Sequence, residues 1–212
     1  MTFPLDLERL LGFIAAVALA ELTPGPNMAY LTLVSTSWGK RAGFVTVAGV
    51  TLGLSVYMLL AVAGLAEAIV AAPLLYGGLR WAGVGYLVWL AWESWRANEA
   101  ATEEVEAPSG QGLFLRGLTT NLLNPKILIL YTALLPGFTN PALGRVGLQV
   151  FYLGLIHIGV SLTIHSGLVL MGDRAHHLGS PASKGQDWRQ GIMAASLLVL
   201  AAWLAWETSR SA

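Results

Sequence analysis

"LTPGPNMAYL" occupies Leu22–Leu31, inside an apolar run from about Leu10 to Val34. Proline donates no N–H, and its ring clashes with the carbonyl four residues back. Each proline also drives the residue before it, here Thr23 and Gly25, out of the helical region. An ordinary lipid-facing helix gains nothing from such a break. The run therefore reads as two half-helices, the second starting at Gly25-Pro26 and continuing through Met28–Val34, since proline suits the first helical position.

The rest of the chain says what kind of helix this is. Of 212 residues, 55% are hydrophobic and 11% charged, and the mean hydropathy is +0.63. Soluble domains are about 25% charged, so the deficit points to a membrane. The chain has no cysteine, which excludes disulfides, thiol nucleophiles and thiolate metal sites. A formal net charge of zero without a basic tail argues against nucleic acid. No Walker loop, G-x-S-x-G, H-E-x-x-H or dinucleotide glycine pattern occurs. No enzyme activity, catalytic residue, cofactor or bound metal is expected. Leu10–Ala20 ends like a signal-peptidase site before Glu21, but Asp6, Glu8 and Arg9 are net negative where a signal peptide is positive. The segment is read as retained.

A crossing needs about 20 mostly apolar residues. Five stretches qualify: about Leu10–Val34, Phe44–Val70, Leu74–Trp95, Val146–Met171 and Gln190–Trp206. A weaker one, about Gly112–Phe138, carries Arg116, Thr119, Thr120, Asn121 and Asn124 in its first half. Its apolar second half, Ile127–Leu135, is too short to cross alone. Six crossings then require the first and fourth spans to be discontinuous; five crossings with a re-entrant fourth segment is the alternative. With six, Arg9, Arg80, Arg145 and Arg210 fall on one side, and Lys40, Arg41, Arg96, Arg116, Arg174, Lys184 and Arg189 on the other. The positive-inside rule puts the second set in the cytoplasm and both termini outside. Trp38, Trp81, Trp95, Trp188 and Trp206 near span ends read as interfacial aromatics. Gly39-x-x-x-Gly43 and Gly49-x-x-x-Gly53 are read as generic close-packing glycines.

"WLAWESWR" (Trp89–Arg96) closes the third span and "WLAWETSR" (Trp203–Arg210) the sixth. Three crossings per half would make the halves oppositely oriented, the inverted-repeat plan in which paired broken helices mark the binding site. The chain is thus expected to be a single all-α transmembrane domain. Repeat one covers about 1–96, an acidic cytoplasmic linker about 97–110, and repeat two about 111–212. The counterpart of Thr23-Pro24-Gly25-Pro26-Asn27 is Asn124-Pro125-Lys126, within "TTNLLNPKILIL". Asparagine favours the N-cap and proline the first turn, so a second half-helix is expected through Ile127–Leu135.

A half-helix start presents unpaired N–H groups and about half a positive charge, a ready anion site. Two meeting near mid-membrane would suit a carboxylate. The freed carbonyls of Ala20 and Leu22 would suit an ammonium or a metal cation. Substrate contacts are therefore expected from Thr23, Pro24, Gly25, Pro26, Asn27, Asn121, Asn124, Pro125 and Lys126. Glu21 lies about 16 Å of helical rise from Leu10, close to the midplane. A charge there needs a partner or water. Glu21 is expected to face a hydrated cavity shared with Lys126, as partner of a substrate amine, as proton carrier, or paired with Lys126. His157, Ser161 and His165 recur at i, i+4 and i+8, one polar stripe. It can relay protons or hydrogen-bond between helices. His176-His177 is read as solvated, and Glu67 and Asp173 as reaching water at span ends.

"LTPGPNMAYL", "KRAGFVTVAGVTLG", "LRWAGVGYLVWLAWESWR" and "GLTTNLLNPKILILYTALLPGF" resemble the LysE/RhtB family of bacterial amino-acid exporters, over about Leu11–Phe138. The resemblance implies multi-pass placement in the bacterial inner membrane, proton-driven efflux of amino acids or related metabolites, and a homodimer embedded in lipid. Members often carry an acidic residue where this chain has His157, and Glu21 is not a usual family feature. Coupling by proton or another cation, through Glu21, His157 and His165, is therefore left open. A metal-ion exporter of related architecture and a non-transporting assembly protein stand as alternatives.

Overall fold

The computed structural model describes residues 7–64 and 108–178 continuously, with 72, 74, 77–78, 81–86, 88–89, 91–92, 195, 198–199, 201–202, 205–206 and 209. Among the described residues there is no strand. α1 spans Leu7–Leu22 and α2 Pro26–Val62. The second half has α3 at Gly110–Leu122 and α4 at Pro125–Ile129, followed by a π-helical turn at Leu130–Leu134 and α5 at Leu135–Gly137. A 3₁₀ turn at Pro141–Leu143 leads into α6, Val146–Leu178.

α2 is not one rod. Gly39 has φ 75 and ψ −175, a left-handed φ that a side chain would resist. Eight residues of straight helix span about 12 Å, yet a Cβ at Gly43 would stand 3.3 Å from the Cβ of Ser35. Leu31 and Val47, placed symmetrically about Gly39, bury together with Val169. The chain therefore doubles back at Gly39 into two antiparallel arms, 26–38 and 40–62. The second arm is about 34 Å long, enough to cross a ~30 Å hydrocarbon core. α6, at 33 residues, exceeds it.

Glycines set the spacing of these helices. A Cβ at Gly49 would run into the Phe114 carbonyl, and one at Gly117 into the Thr46 carbonyl. Gly53 faces Asn121, while Gly43 faces Val169. The second arm thus lies parallel and close against α3, and antiparallel against α6, where Gly154 meets Met58. Small residues let helices approach without a hydrophobic driving force between them. The main core gathers Phe13 and Val17 of α1, Leu54 and Tyr57 of α2, Ile127, Leu128, Leu130, Tyr131 and Leu135, and Leu153 of α6. A second cluster joins Tyr30, Val34 and Leu113 to Ala91 and Ala201. Arg116 lies 5.4 Å from the centre of the Trp89 ring, a cation–π contact.

Of the basic residues expected on opposite sides, Lys40 and Arg174 sit at the Gly39 end and Arg9 and Arg145 at the other, where Arg9 donates to the Thr139 carbonyl. Arg80, Arg96, Lys184, Arg189 and Arg210 lie outside the described residues, as do Glu67, Trp95, Trp188, most of the linker and most of both octapeptides.

Candidate functional site

The helix breaks at both proline motifs, and the breaks meet. α1 stops at Leu22, where the Thr23 N–H turns back to the carbonyls of Leu19 (3.1 Å) and Ala20 (3.2 Å). In an unbroken helix Ala20 would accept from residue 24 and Thr23 from residue 27. The Lys126 ammonium takes these places. It donates to Ala20 O at 2.8 Å and Thr23 O at 3.1 Å. This corrects two expectations. The Ala20 carbonyl does bind an ammonium, but the protein's own, and Lys126 does not pair with Glu21.

Gly25 is the extended N-cap of α2 and has no side chain to cap it. Pro26 lacks an N–H, and Ala29 donates back to Gly25. The N–H groups of Asn27 and Met28 remain as the uncapped first turn. A Cβ at Gly25 would stand 3.5 Å from Lys126 Nζ, so the ammonium lies beside this helix start.

The second break differs. Asn124 is extended, and its Oδ1 accepts the Lys126 N–H at 3.1 Å. Its carbonyl accepts from Ile127 and Leu128. The Leu122 carbonyl, which loses its usual donor, accepts the Tyr57 hydroxyl at 2.7 Å. Asn124 caps its helix, as expected of an asparagine there, and this closes one of the two helix starts expected to stay open; of the two breaks, the Pro26 start is the one without a side-chain cap. Three asparagines around the breaks are buried with unpaired atoms. They are Asn27 and Asn121, whose amide N and O both lack partners, and Asn124 through its Nδ2. Buried polar groups are nearly always satisfied, and each orphan costs about 1–3 kcal/mol.

Glu21, in the last turn of α1, is 2% exposed. His157 Nε2 donates to its Oε1 at 2.8 Å, and His165 Nε2 stands 3.4 Å from its Oε2, outside hydrogen-bond geometry. Two histidines eight residues apart on α6 thus flank one carboxylate. His157 Nδ1 meets the Tyr131 hydroxyl at 3.1 Å, and His165 Nδ1 meets Ser161 Oγ at 3.1 Å. With Nε2–H toward the carboxylate, neutral His157 accepts from Tyr131; as imidazolium it donates at both nitrogens. The stripe does make an interhelical hydrogen bond, through His157 to Glu21. Tyr131 and Tyr57, stacked at 5.9 Å, escaped the sequence reading. Tyr131 reaches His157 from the π-helical turn, and nothing local marks that turn.

The Gly39 end corrects two bland readings. Asp173 does not simply reach water: it is 8% exposed and accepts the Lys40 N–H at 2.8 Å, capping the second arm. His176 donates through Nδ1 to Thr36 O at 2.9 Å, whereas His177 is exposed and 3.6 Å from Asp173.

The profile of the LysE type translocators matches residues 18–208. The chain belongs to that family. A homoserine/homoserine lactone efflux protein of Salmonella typhimurium is 30% identical over 82% of this chain and 83% of its own. A leucine efflux protein of Klebsiella pneumoniae is 29% identical over 76% and 78%. An uncharacterized membrane protein of Pseudomonas aeruginosa is 31% identical over 76% and 78%. The named relatives are transporters rather than enzymes. No solved structure matches the chain.

Proposed function

We propose that this LysE-type chain exports amino acids or closely related metabolites across the bacterial inner membrane, by alternating access around the paired breaks. One observation carries the reading: the Lys126 ammonium, from the second break, is lodged on the carbonyls of the first. Substrate is held by the residues of both breaks: Thr23, Pro24, Gly25, Pro26 and Asn27, with Asn121, Asn124, Pro125 and Lys126. Discontinuous helices at such sites are the working parts of many secondary transporters.

The same order of elements recurs in each half: helix, break, half-helix, reversal, long helix. This supports six crossings arranged as a 3+3 inverted repeat, with the domain limits and linker given above, in a lipid-embedded homodimer. Glu21, flanked by His157 and His165, is the coupling-proton site. It adjoins Ala20, whose carbonyl holds Lys126, so a proton that moves the end of α1 also moves a ligand of that lysine. The relatives named for homoserine/homoserine lactone and leucine efflux support amino acids and related metabolites over metal ions as cargo.

Counterflow of labelled amino acids in proteoliposomes containing the purified protein tests the reading. Exchange above empty liposomes with at least one amino acid is expected. Exchange with none would end it.

A further inference from the structure

Resting on the coupling role given to Glu21, we propose that Tyr131 is the positioning residue of that site: its hydroxyl registers a proton on His157 and carries the change to the half-helix that bears Lys126.

The two histidines beside Glu21 are not equivalent. His165 turns its Nδ1 to Ser161 Oγ on its own helix, and its Nε2 makes no hydrogen bond. His157 is bonded at both nitrogens, and neither partner is local. Its Nε2 meets Glu21 of α1 at 2.8 Å, and its Nδ1 meets the Tyr131 hydroxyl at 3.1 Å. Glu21, His157 and Tyr131 come from three different elements, and each is 2% exposed or less. A change at His165 stays within α6 and Glu21, whereas one at His157 also reaches the π-helical turn.

An ionised carboxylate only accepts, so Nε2 carries the hydrogen that faces Glu21. Neutral His157 then offers a lone pair at Nδ1, and the Tyr131 hydroxyl donates to it. When a coupling proton from the aqueous side binds Nδ1, an N–H bond forms there and the lone pair is used up. The Glu21 carboxylate balances the imidazolium charge. Tyr131 must now accept instead of donate. Its O–H then lacks an acceptor, because among the described residues the hydroxyl has His157 as its one hydrogen-bond partner. A buried donor without an acceptor is costly, so protonation presses Tyr131 off its position.

Tyr131 stands where such a displacement is transmitted. It lies in the π-helical turn Leu130–Leu134, directly after α4. Such turns hold an extra residue against the α register and are frequent at functional sites. Lys126, near the start of the same α4, donates to Ala20 O and Thr23 O. One short segment thus engages the end of α1 twice, through Lys126 directly and through Tyr131 by way of His157 and Glu21.

The remaining titratable groups around His157 are His165 on α6, Tyr57 of α2, which stacks on Tyr131 at 5.9 Å, and Lys126, which adjoins Glu21 through the Ala20 carbonyl. Tyr57 directs its hydroxyl to Leu122 O. It is therefore a control of the same chemistry outside the proton chain.

The experiment is the counterflow assay run from about pH 5 to 8, the range in which histidine titrates. Tyr131→Phe keeps the stack on Tyr57 and the ring contact with His157, and removes the hydroxyl. The rate at the wild-type optimum should fall about threefold or more, and the midpoint of the pH profile should move by about half a unit or more. Tyr57→Phe should keep the wild-type profile. In wild-type protein carrying isotope-labelled tyrosine and histidine, the Tyr131 Cζ resonance should titrate with the midpoint of the His157 nitrogens, a measurement that needs no variant to fold. A Tyr131→Phe profile superimposable on wild type, an equal shift in Tyr57→Phe, or a Tyr131 resonance indifferent to His157 overturns the inference. With a Glu21→Gln profile that is flattened, the coupling role survives that outcome. A Glu21→Gln profile unchanged from wild type overturns the coupling role and this inference with it.

Discussion

The two proline breaks use one sequence device to opposite ends. At Asn124 the break is closed from within: a side chain caps the helix start, and Tyr57 satisfies the stranded Leu122 carbonyl. At Thr23–Gly25 no side chain caps the helix start. The carbonyls are held by a lysine from the other half, and the helix start stays uncapped. A proline interruption thus leaves backbone groups for a distant side chain only where no local side chain takes them. The second break supplies the charge, and the first supplies the backbone that positions it.

Lys126→Met should break the comparison hardest. It takes one of two donors from the Ala20 carbonyl and the lysine donor from the Thr23 carbonyl, and it removes the charge. Counterflow should vanish and the melting temperature in detergent fall. Full transport would show that the first break needs no cation. Next comes the pair Pro24→Ala with Pro26→Ala. A new N–H at 24 would compete with Lys126 for the Ala20 carbonyl, and one at 26 would reach back to the Leu22 carbonyl, so that the two half-helices could join. Export should drop at least tenfold or so without loss of thermal stability; a parallel fall in both would mean the break is only structural.

Glu21→Gln sharpens the contrast between the halves, since it alters the helix that ends at the open break. Export should fall, and its dependence on pH between about 5 and 8 should flatten. The groups facing this position are His157 and His165 on α6, Tyr131 on the π-helical turn, and Lys126 through the Ala20 carbonyl. An unchanged rate and profile would remove Glu21 from coupling. At the closed break, Asn124→Ala should cost about 1 kcal/mol of stability, most of it restored by Ser as an alternative cap. Tyr57→Phe should cost about 1 kcal/mol through the Leu122 carbonyl, the smallest effect of the set, read by thermal unfolding with transport retained.

How far the site was legible depended on the range of each interaction. The stop at Leu22, the start at Pro26 and the Asn124 cap follow from residues within a turn of one another, and each lies where the motif places it. The reversal at Gly39 was hidden, because a glycine with left-handed φ resembles any packing glycine until Asp173 arrives from 133 residues away to cap the next arm. The partners of Glu21 and Lys126 were hidden for the same reason. A mid-membrane charge announces that it needs a partner without naming one.

By itself, then, the sequence determined a membrane-spanning helical chain and the two points where its helices must break, because proline and capping chemistry act locally. Only the tertiary structure decided which break stays open and which charges meet. Those choices depend on how closely glycine faces let distant helices approach, and on a lysine 106 residues away finding the Ala20 carbonyl.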